Sequence, residues 1–275
     1  MRIGSLFSGI GGLELGLERA IPGAHTVFQV EQNPYARAVL AKHWPNAQRY
    51  EDVKEVGAHN LPACDLLCGG FPCQDISAAG KRAGIEGERS GLWAEYARII
   101  GELRPRFVVV ENVSALLSGG MGRVLGDLAA CGYDALWDCI PAQAVGAHHR
   151  RDRLFIVAWS QQLRAMADAD RQRELQQGQL PGEERRRTGD GSSKVAHPMR
   201  QRSQRPEQGR ASAKERASFR HATECSRWLP EPNVGRVADG VPRRVDRLRC
   251  LGNAVVPQVA EVVGRVVMQL EGGTA

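Results

Sequence analysis

No apolar stretch in this chain approaches the roughly 20 residues that a membrane span requires, so an integral membrane protein is not expected. The pattern of a secretory leader is missing too. The opening residues MRIGSLFSGIGG pass straight into a strand-like run and a glycine turn, with no apolar core between a basic start and a small-residue cleavage site. Export is therefore not expected, and the expected compartment is a cytosol. A disulfide framework is equally out of place, because the 7 cysteines are an odd number in a chain of 275 residues. They read as reduced thiols, buried or catalytic. Zinc spacing is lacking: Cys64, Cys68 and Cys73 lie close together but form no C-x-x-C pair, and no downstream Cys/His pair completes a tetrahedral set. No metal is expected.

Large apolar residues are scarce in one segment, 161–227, whose sole aromatic is Phe219. That segment holds 15 Arg and Lys against 9 Asp and Glu, which accounts for the whole formal charge of +6. Its Arg excess over Lys suits bidentate contacts to phosphate or guanine, and Ala-x-x-x-Arg-Gln-Arg occurs twice, at Ala167–Arg173 and Ala196–Arg202. A solvated linker is the alternative that composition leaves open. The rest of the chain is a different material. With 42% hydrophobic and 25% charged residues overall, there is enough apolar sequence for one large domain or a domain with a smaller lobe.

Before residue 160 short β-rich runs alternate with helical patterns. Strands are expected at Arg2–Phe7, Thr26–Glu31, Gln48–Tyr50, Asp65–Cys68, Phe107–Glu111, Ala135–Pro141 and Leu154–Trp159. Helical spacing covers Leu13–Arg19, Pro34–His43, Leu92–Leu103 and Met121–Ala130. This alternation implies an α/β chain with a doubly wound, mostly parallel sheet. Sheets of that kind bind ligands beyond the carboxyl ends of their strands, so functional residues should follow strands.

Strand one runs into Phe7-Ser8-Gly9-Ile10-Gly11-Gly12, where glycine lets backbone approach a ligand closely. Strand two ends in Glu31, 20 residues after Gly11, the position of an acid that bonds ribose hydroxyls in nucleotide-binding βαβ units. The third glycine of G-x-G-x-x-G is missing, because that place holds Glu14. A carboxylate there is a poor neighbour for pyrophosphate. An adenosine cofactor without phosphates and with positive charge, such as S-adenosylmethionine, suits it better. Asp52, beyond the third strand, is a candidate acceptor for an adenine amino group, with a helix N-cap as its alternative.

Cys68-Gly69-Gly70-Phe71-Pro72-Cys73-Gln74 follows an apolar strand, and a cysteine in such a loop beside a φ-locked proline is placed to be a nucleophile. An inert buried thiol is the competing reading. At the next strand end Glu111-Asn112-Val113 emerges from Phe107–Val110, so desolvation should raise the Glu111 pKa towards the range useful for proton donation. A structural carboxylate satisfied by backbone N–H groups is the alternative there.

Taken together, Phe7–Gly12, Glu31, Asp52, Gly70–Gln74, Arg89-Ser90-Gly91-Leu92, Glu111-Asn112-Val113, Arg150-Arg151-Asp152-Arg153 and Gly252-Asn253-Ala254-Val255-Val256-Pro257 resemble the ordered motifs of the bacterial and phage DNA cytosine-5 methyltransferases. The resemblance covers residues 1–160 and 228–270. It implies the Rossmann-like fold of S-adenosylmethionine-dependent methyltransferases with a small, largely irregular target-recognition lobe. The catalytic domain would be 1–160, the recognition insert 161–250, and 251–275 a helix returning to the catalytic domain. By the same resemblance Phe7, Gly9, Gly11, Glu31 and Asp52 hold S-adenosylmethionine, and Pro72, Leu92 and Asn253 close its pocket. Cys73 attacks C6 of a flipped cytosine and Glu111 protonates N3, while Arg151 and Arg153 orient Glu111 and contact the base. Where the family has Gln in Gln-x-Arg-x-Arg, this chain has His149. Arg82 and Arg89, in the loop Ser77–Gly91, and Arg171, Arg173, Arg200 and Arg202 are the expected DNA contacts. The expected partner is double-stranded DNA, met by a monomer acting at the nucleoid.

At the C-terminus, Asn253 is expected to cap a helix with Pro257 in its first turn and Val256, Val259, Val263, Val266 and Leu270 on one face. An RNA cytosine methyltransferase on the same lobe is the main rival, and the Arg/Gln-biased insert speaks for major-groove readout instead, since A-form RNA hides that groove. A catalytically silent binder would not need Cys73, Glu111, Arg151 and Arg153 together. An exocyclic-amine methyltransferase would show an Asn/Asp-Pro-Pro-aromatic tetrapeptide, which the chain lacks.

Overall fold

The computed structural model describes residues 1–72, 91–161 and 244–272. Seven strands form one sheet: β1 (Arg2–Leu6), β2 (His25–Val30), β3 (Gln48–Tyr50), β4 (Leu66–Gly69), β5 (Phe107–Val113), β6 (Tyr133–Pro141) and β7 (Asp152–Ser160), in the order β3-β2-β1-β4-β5-β7-β6. The first five are parallel, while β7 runs antiparallel to both β5 and β6. From β1 the chain winds outward to β2 and β3, then crosses back to β4 on the other side. The direction of winding therefore changes between β1 and β4, which opens a crevice beyond their carboxyl ends.

The helices are α1 (Gly12–Ala20), α2 (Pro34–His43), α3 (Leu92–Leu103), α4 (Leu116–Gly119), α5 (Met121–Ala130), α6 (Arg244–Asn253) and α7 (Pro257–Gly272). The sheet is covered on both faces, which is why β4 and the first half of β5 are continuously apolar. Strand alternation still sorts their residues. Leu67, Val108 and Val110 turn to the layer built with Trp93, Tyr96, Ile99 and Val124 of α3 and α5. Leu66, Cys68, Phe107 and Val109 turn to the opposite layer, which holds Leu13 and Leu17 of α1 with Val259, Val263 and Val266 of α7.

The seam between α1 and α7 is made by glycine. A Cβ on Gly16 would stand 2.3 Å from the Pro257 carbonyl oxygen and 2.4 Å from the Ala260 Cβ, and one on Gly264 would stand 2.6 Å from the Ala20 Cβ. Removing side chains there lets α7 bury five valines, Val259, Val262, Val263, Val266 and Val267. Each contributes about 1.5–3 kcal/mol of burial.

Boundaries differ from expectation in informative ways. β1 stops at Leu6 because Phe7 has φ 54°, a left-handed conformation that ends the strand. β5 runs on to Val113 because β7 pairs Glu111, Asn112 and Val113 with Phe155, Leu154 and Arg153. Asn253 does not cap α7. It is the last residue of α6, and the backbone N–H groups of Val259 and Ala260 bond to the Val256 carbonyl, so α7 starts behind Val256. Val256 and Leu270 of the expected face are half-buried. The run Val245–Gly272 is long and apolar enough to count as a membrane-span candidate by length and composition. It is broken at Ala254–Val256, and its α7 part packs on α1 and the sheet, as a core helix does.

Candidate functional site

Three strand ends meet in the crevice. At the first, the turn after β1 places Phe7, Gly9 and Gly11 at φ 54°, 56° and 86°. Glu31, just past β2, ties this turn down: one carboxylate oxygen accepts the Gly9 N–H at 2.7 Å and the other the Asn33 N–H at 2.7 Å. Gly11 lies under Trp44, whose ring would be 2.3 Å from any Cβ there, and the indole N–H of Trp44 donates to Glu18 at 3.0 Å. Glu31 and the glycine turn are thus one backbone-built cradle.

At the second strand end, Gly69 and Gly70 follow β4. A Cβ on Gly70 would come within 2.5 Å of a Glu111 carboxylate oxygen, and one on Gly69 within 2.3 Å of the Leu6 carbonyl oxygen. The buried Asn112 side chain donates to the Phe71 carbonyl at 3.2 Å, which fixes the backbone immediately ahead of Pro72 and Cys73. Cys73 itself lies outside the described residues, as do Arg82, Arg89, Arg171, Arg173, Arg200 and Arg202.

At the third, Glu111 sits on β5 with the Arg153 guanidinium 3.2 Å away. Burial outweighs the attraction of Arg153 and Arg151 and pushes the Glu111 carboxyl up to about 7. Arg151, held at φ 35°, sends its guanidinium elsewhere, donating to the Ala254 carbonyl at 2.6 Å. The two arginines therefore differ: Arg153 faces Glu111, and Arg151 fastens the segment between α6 and α7 to the sheet. Burial, with Arg153 close by, lowers the Arg151 pKa.

The crevice is lined by Phe7, Ser8, Gly9, Gly12, Glu14, Gly69, Gly70, Glu111 and Asn253, so it gathers two of the expected cofactor glycine-turn residues, Glu111 and Asn253 in one place. Gly11, Glu31, Asp52, Pro72 and Leu92 are not among its lining residues; Gly11 and Glu31 shape the turn behind it. Asp52 caps the short helix Val53–Glu55, accepting the Lys54 N–H at 2.9 Å, and Leu92 opens α3 and packs on the core layer of Trp93. A wider groove of about 770 Å³ adjoins, with Arg19, His149, Arg151 and Arg153 on its wall, a cationic surface. The buried Cys64 and Cys68 thiols are both raised, Cys64 to about 12, and lie in opposite core layers.

Sequence reasoning missed three connections. Asn112 pins the Phe71 carbonyl, Arg151 bonds Ala254 across 103 residues, and Glu14 enters the crevice wall. Only the last left a signal in the sequence, as the acid standing where a third glycine was expected.

Residues 1–231 match the family model described as C-5 cytosine-specific DNA methylase. The chain belongs to that family. The chain is 38% identical over 166 residues to the type II methyltransferase M2.BsuMI of Bacillus subtilis, a match covering 58% of this chain and 42% of the relative. It is 34% identical over 163 residues to the orphan methyltransferase M.SPRI of Bacillus phage SPR, covering 57% and 37% respectively. Among solved structures, a putative DNA modification methyltransferase from an E. coli prophage aligns with TM-score 0.50 and 29% identity, over 59% of this chain and 47% of that one. The Dnmt2 methyltransferase of S. pombe aligns with TM-score 0.50 at 22% identity, over 58% and 51%, a likeness of fold. The matched part of the chain spans less than half the length of these curated relatives.

Proposed function

We propose that this methylase transfers a methyl group from S-adenosylmethionine to C5 of a cytosine in duplex DNA, as the type II name of its relatives suggests. The observation that carries the reading is Glu111. It is a carboxyl on a parallel strand end, raised to about 7 and faced by Arg153, with Gly70 of the Cys73 loop cut back to glycine against it.

Features around the crevice support the proposed donor. The left-handed turn Phe7–Gly11 and the Glu31 carboxylate suit an adenosyl group, and the absence of any phosphate-binding third glycine suits one without pyrophosphate. Asn253 closes the opposite wall. The donor supplies an electrophilic methyl group; everything else falls to the protein.

For the base, the Cys73 thiolate forms an S–C6 bond with a cytosine turned out of its stack, where C5 and C6 are otherwise unreachable. As the C5–C6 double bond opens, Glu111 gives a proton to N3, so that negative charge is not left on the ring. A carboxyl near 7 is protonated often enough at neutral pH to do this and basic enough to recover the proton later. Arg153 stabilises the carboxylate that remains. C5 takes the methyl group, a base takes the C5 proton, the S–C6 bond breaks to return the Cys73 thiolate as the C5–C6 double bond re-forms, and Glu111 recovers the N3 proton. Cys73 acts in this scheme by its motif alone. The insert 161–250, with Arg171, Arg173, Arg200 and Arg202, reads the target sequence and supplies the phosphate contacts.

Bisulfite sequencing of DNA from cells expressing the full chain tests this. The expected result is 5-methylcytosine at one sequence context. Unmodified DNA accompanied by methylated RNA would overturn the reading in favour of the RNA enzyme.

A further inference from the structure

Glu14 is the most unusual group in the crevice that the reaction above leaves idle. It lies in the first turn of α1, and none of its surface reaches solvent. Neither carboxylate oxygen completes a hydrogen bond among the described residues. Buried acceptors left unfilled destabilise the fold, so Glu14 works against stability where it stands. The neighbours supply no counter-charge. From β1 and its turn the Ser5 and Ser8 hydroxyls face it, but Ser8 donates to the Ser5 Oγ at 2.9 Å. From β4 comes the uncharged Cys68 thiol, from the next turn of α1 the like-charged Glu18, and across the crevice lie Asn253 and Glu111. Burial pushes the Glu14 carboxyl up to about 7, while Ser5, Ser8 and its own N–H oppose the shift.

Resting on the reading of the crevice as a donor site, we propose that Glu14 is the counter-ion of the donor's α-ammonium group. The requirement is for N–H donors and positive charge at once, at the foot of the glycine turn. The methionyl end of S-adenosylmethionine carries two positive centres, and of these only the ammonium has hydrogens to give; the sulfonium has none. In a poorly hydrated site a full charge opposite the carboxylate is worth far more than at a surface. Binding would therefore ionise Glu14 and release its proton.

S-adenosylhomocysteine keeps the ammonium and the α-carboxylate and lacks the sulfonium charge, and 5′-methylthioadenosine lacks all three; a ligand carboxylate beside Glu14 would favour proton uptake, so proton release on binding S-adenosylhomocysteine reads the ammonium. Calorimetry of the full chain at pH 7 in buffers of different ionisation enthalpy reads the proton balance. For wild type, S-adenosylhomocysteine should release about half a proton and 5′-methylthioadenosine none. The release should persist in Glu111→Gln and vanish in Glu14→Gln. Glu14→Gln should also weaken S-adenosylhomocysteine by about tenfold or more and leave 5′-methylthioadenosine unchanged. Equal proton balance for both ligands in wild type overturns the proposal, and that arm needs no variant to fold. Equal weakening of both ligands in Glu14→Gln overturns it too, in favour of a structural role. A larger loss for S-adenosylmethionine than for S-adenosylhomocysteine would assign Glu14 to the sulfonium instead. If none of the three ligands binds wild type, the donor-site reading itself fails.

Discussion

The two halves of the crevice are built from different materials. On the β1–β2 side the chain works with backbone: a left-handed turn at Phe7, Gly9 and Gly11, whose N–H at Gly9 is held by Glu31 from 22 residues away. On the β4–β5 side it works with side chains: Glu111 against Arg153, Asn112 against Phe71, Arg151 against Ala254. The backbone cradle gives each Glu31 carboxylate oxygen an N–H donor and serves binding, while Glu14 at its foot is left for a ligand to fill. In the side-chain cluster, burial of Glu111 outweighs the attraction of Arg153 and Arg151, and the carboxyl is raised to about 7, which is what proton transfer uses.

The division can be broken by substitution, and the side-chain half should break hardest. Cys73→Ser is expected to abolish methyl transfer while calorimetry still finds the donor bound, because the thiolate is needed only for the base. Tritium transfer near the wild-type rate would contradict this. Glu111→Gln should lower the single-turnover rate by two to four orders of magnitude with DNA affinity little changed, since the proton matters only as the ring is attacked.

The backbone half should fail in binding instead. At Gly11→Ala the added methyl meets the Trp44 ring at 2.3 Å and the residue must hold φ 86°. The expected outcome is weaker donor binding, by about 1–3 kcal/mol of strain, with the rate at saturating donor nearly kept. A fallen saturated rate with intact affinity would reverse the assignment of the two halves.

A further effect is on stability. Glu14 and Glu111 are both raised to about 7, so between the ordinary value of 4.5 and 7 the folded protein binds more protons than the unfolded chain. Stability without ligand should fall as pH rises across that window and level off above it. Urea midpoints at pH 5 and pH 8 should show the fall, and Glu111→Gln should shrink it. Asp65 and Glu102, held low by Arg2 and Arg98, act below that window and in the opposite sense.

How legible each half was in the sequence follows from the same division. The sheet was readable because β4 and β5 are short apolar runs ending in glycine or acid, and Glu31 because a βαβ unit fixes its distance from Gly11. Asp52 could be read as ligand acceptor or helix cap, and its bond to Lys54 is that of a cap. Asn253 was placed on the wrong helix because the break at Ala254–Val256 is set by Arg151 reaching the Ala254 carbonyl, a contact between residues no local pattern connects. The Phe71–Asn112 bond was hidden for the same reason.

The glycine seam between α1 and α7 bears on the order of assembly. α1 leaves the ribosome well before the helix that covers it, and the ion pair Arg19–Glu261 joins residues 242 apart. Through most of synthesis Ile3, Leu13 and Leu17 have no partner layer. Closing so long a loop is slow, and the bare face is a place for wrong association until it closes. A nascent chain stalled before Asn253 should therefore be sticky and lack the wall that Asn253 and Val255 give the crevice.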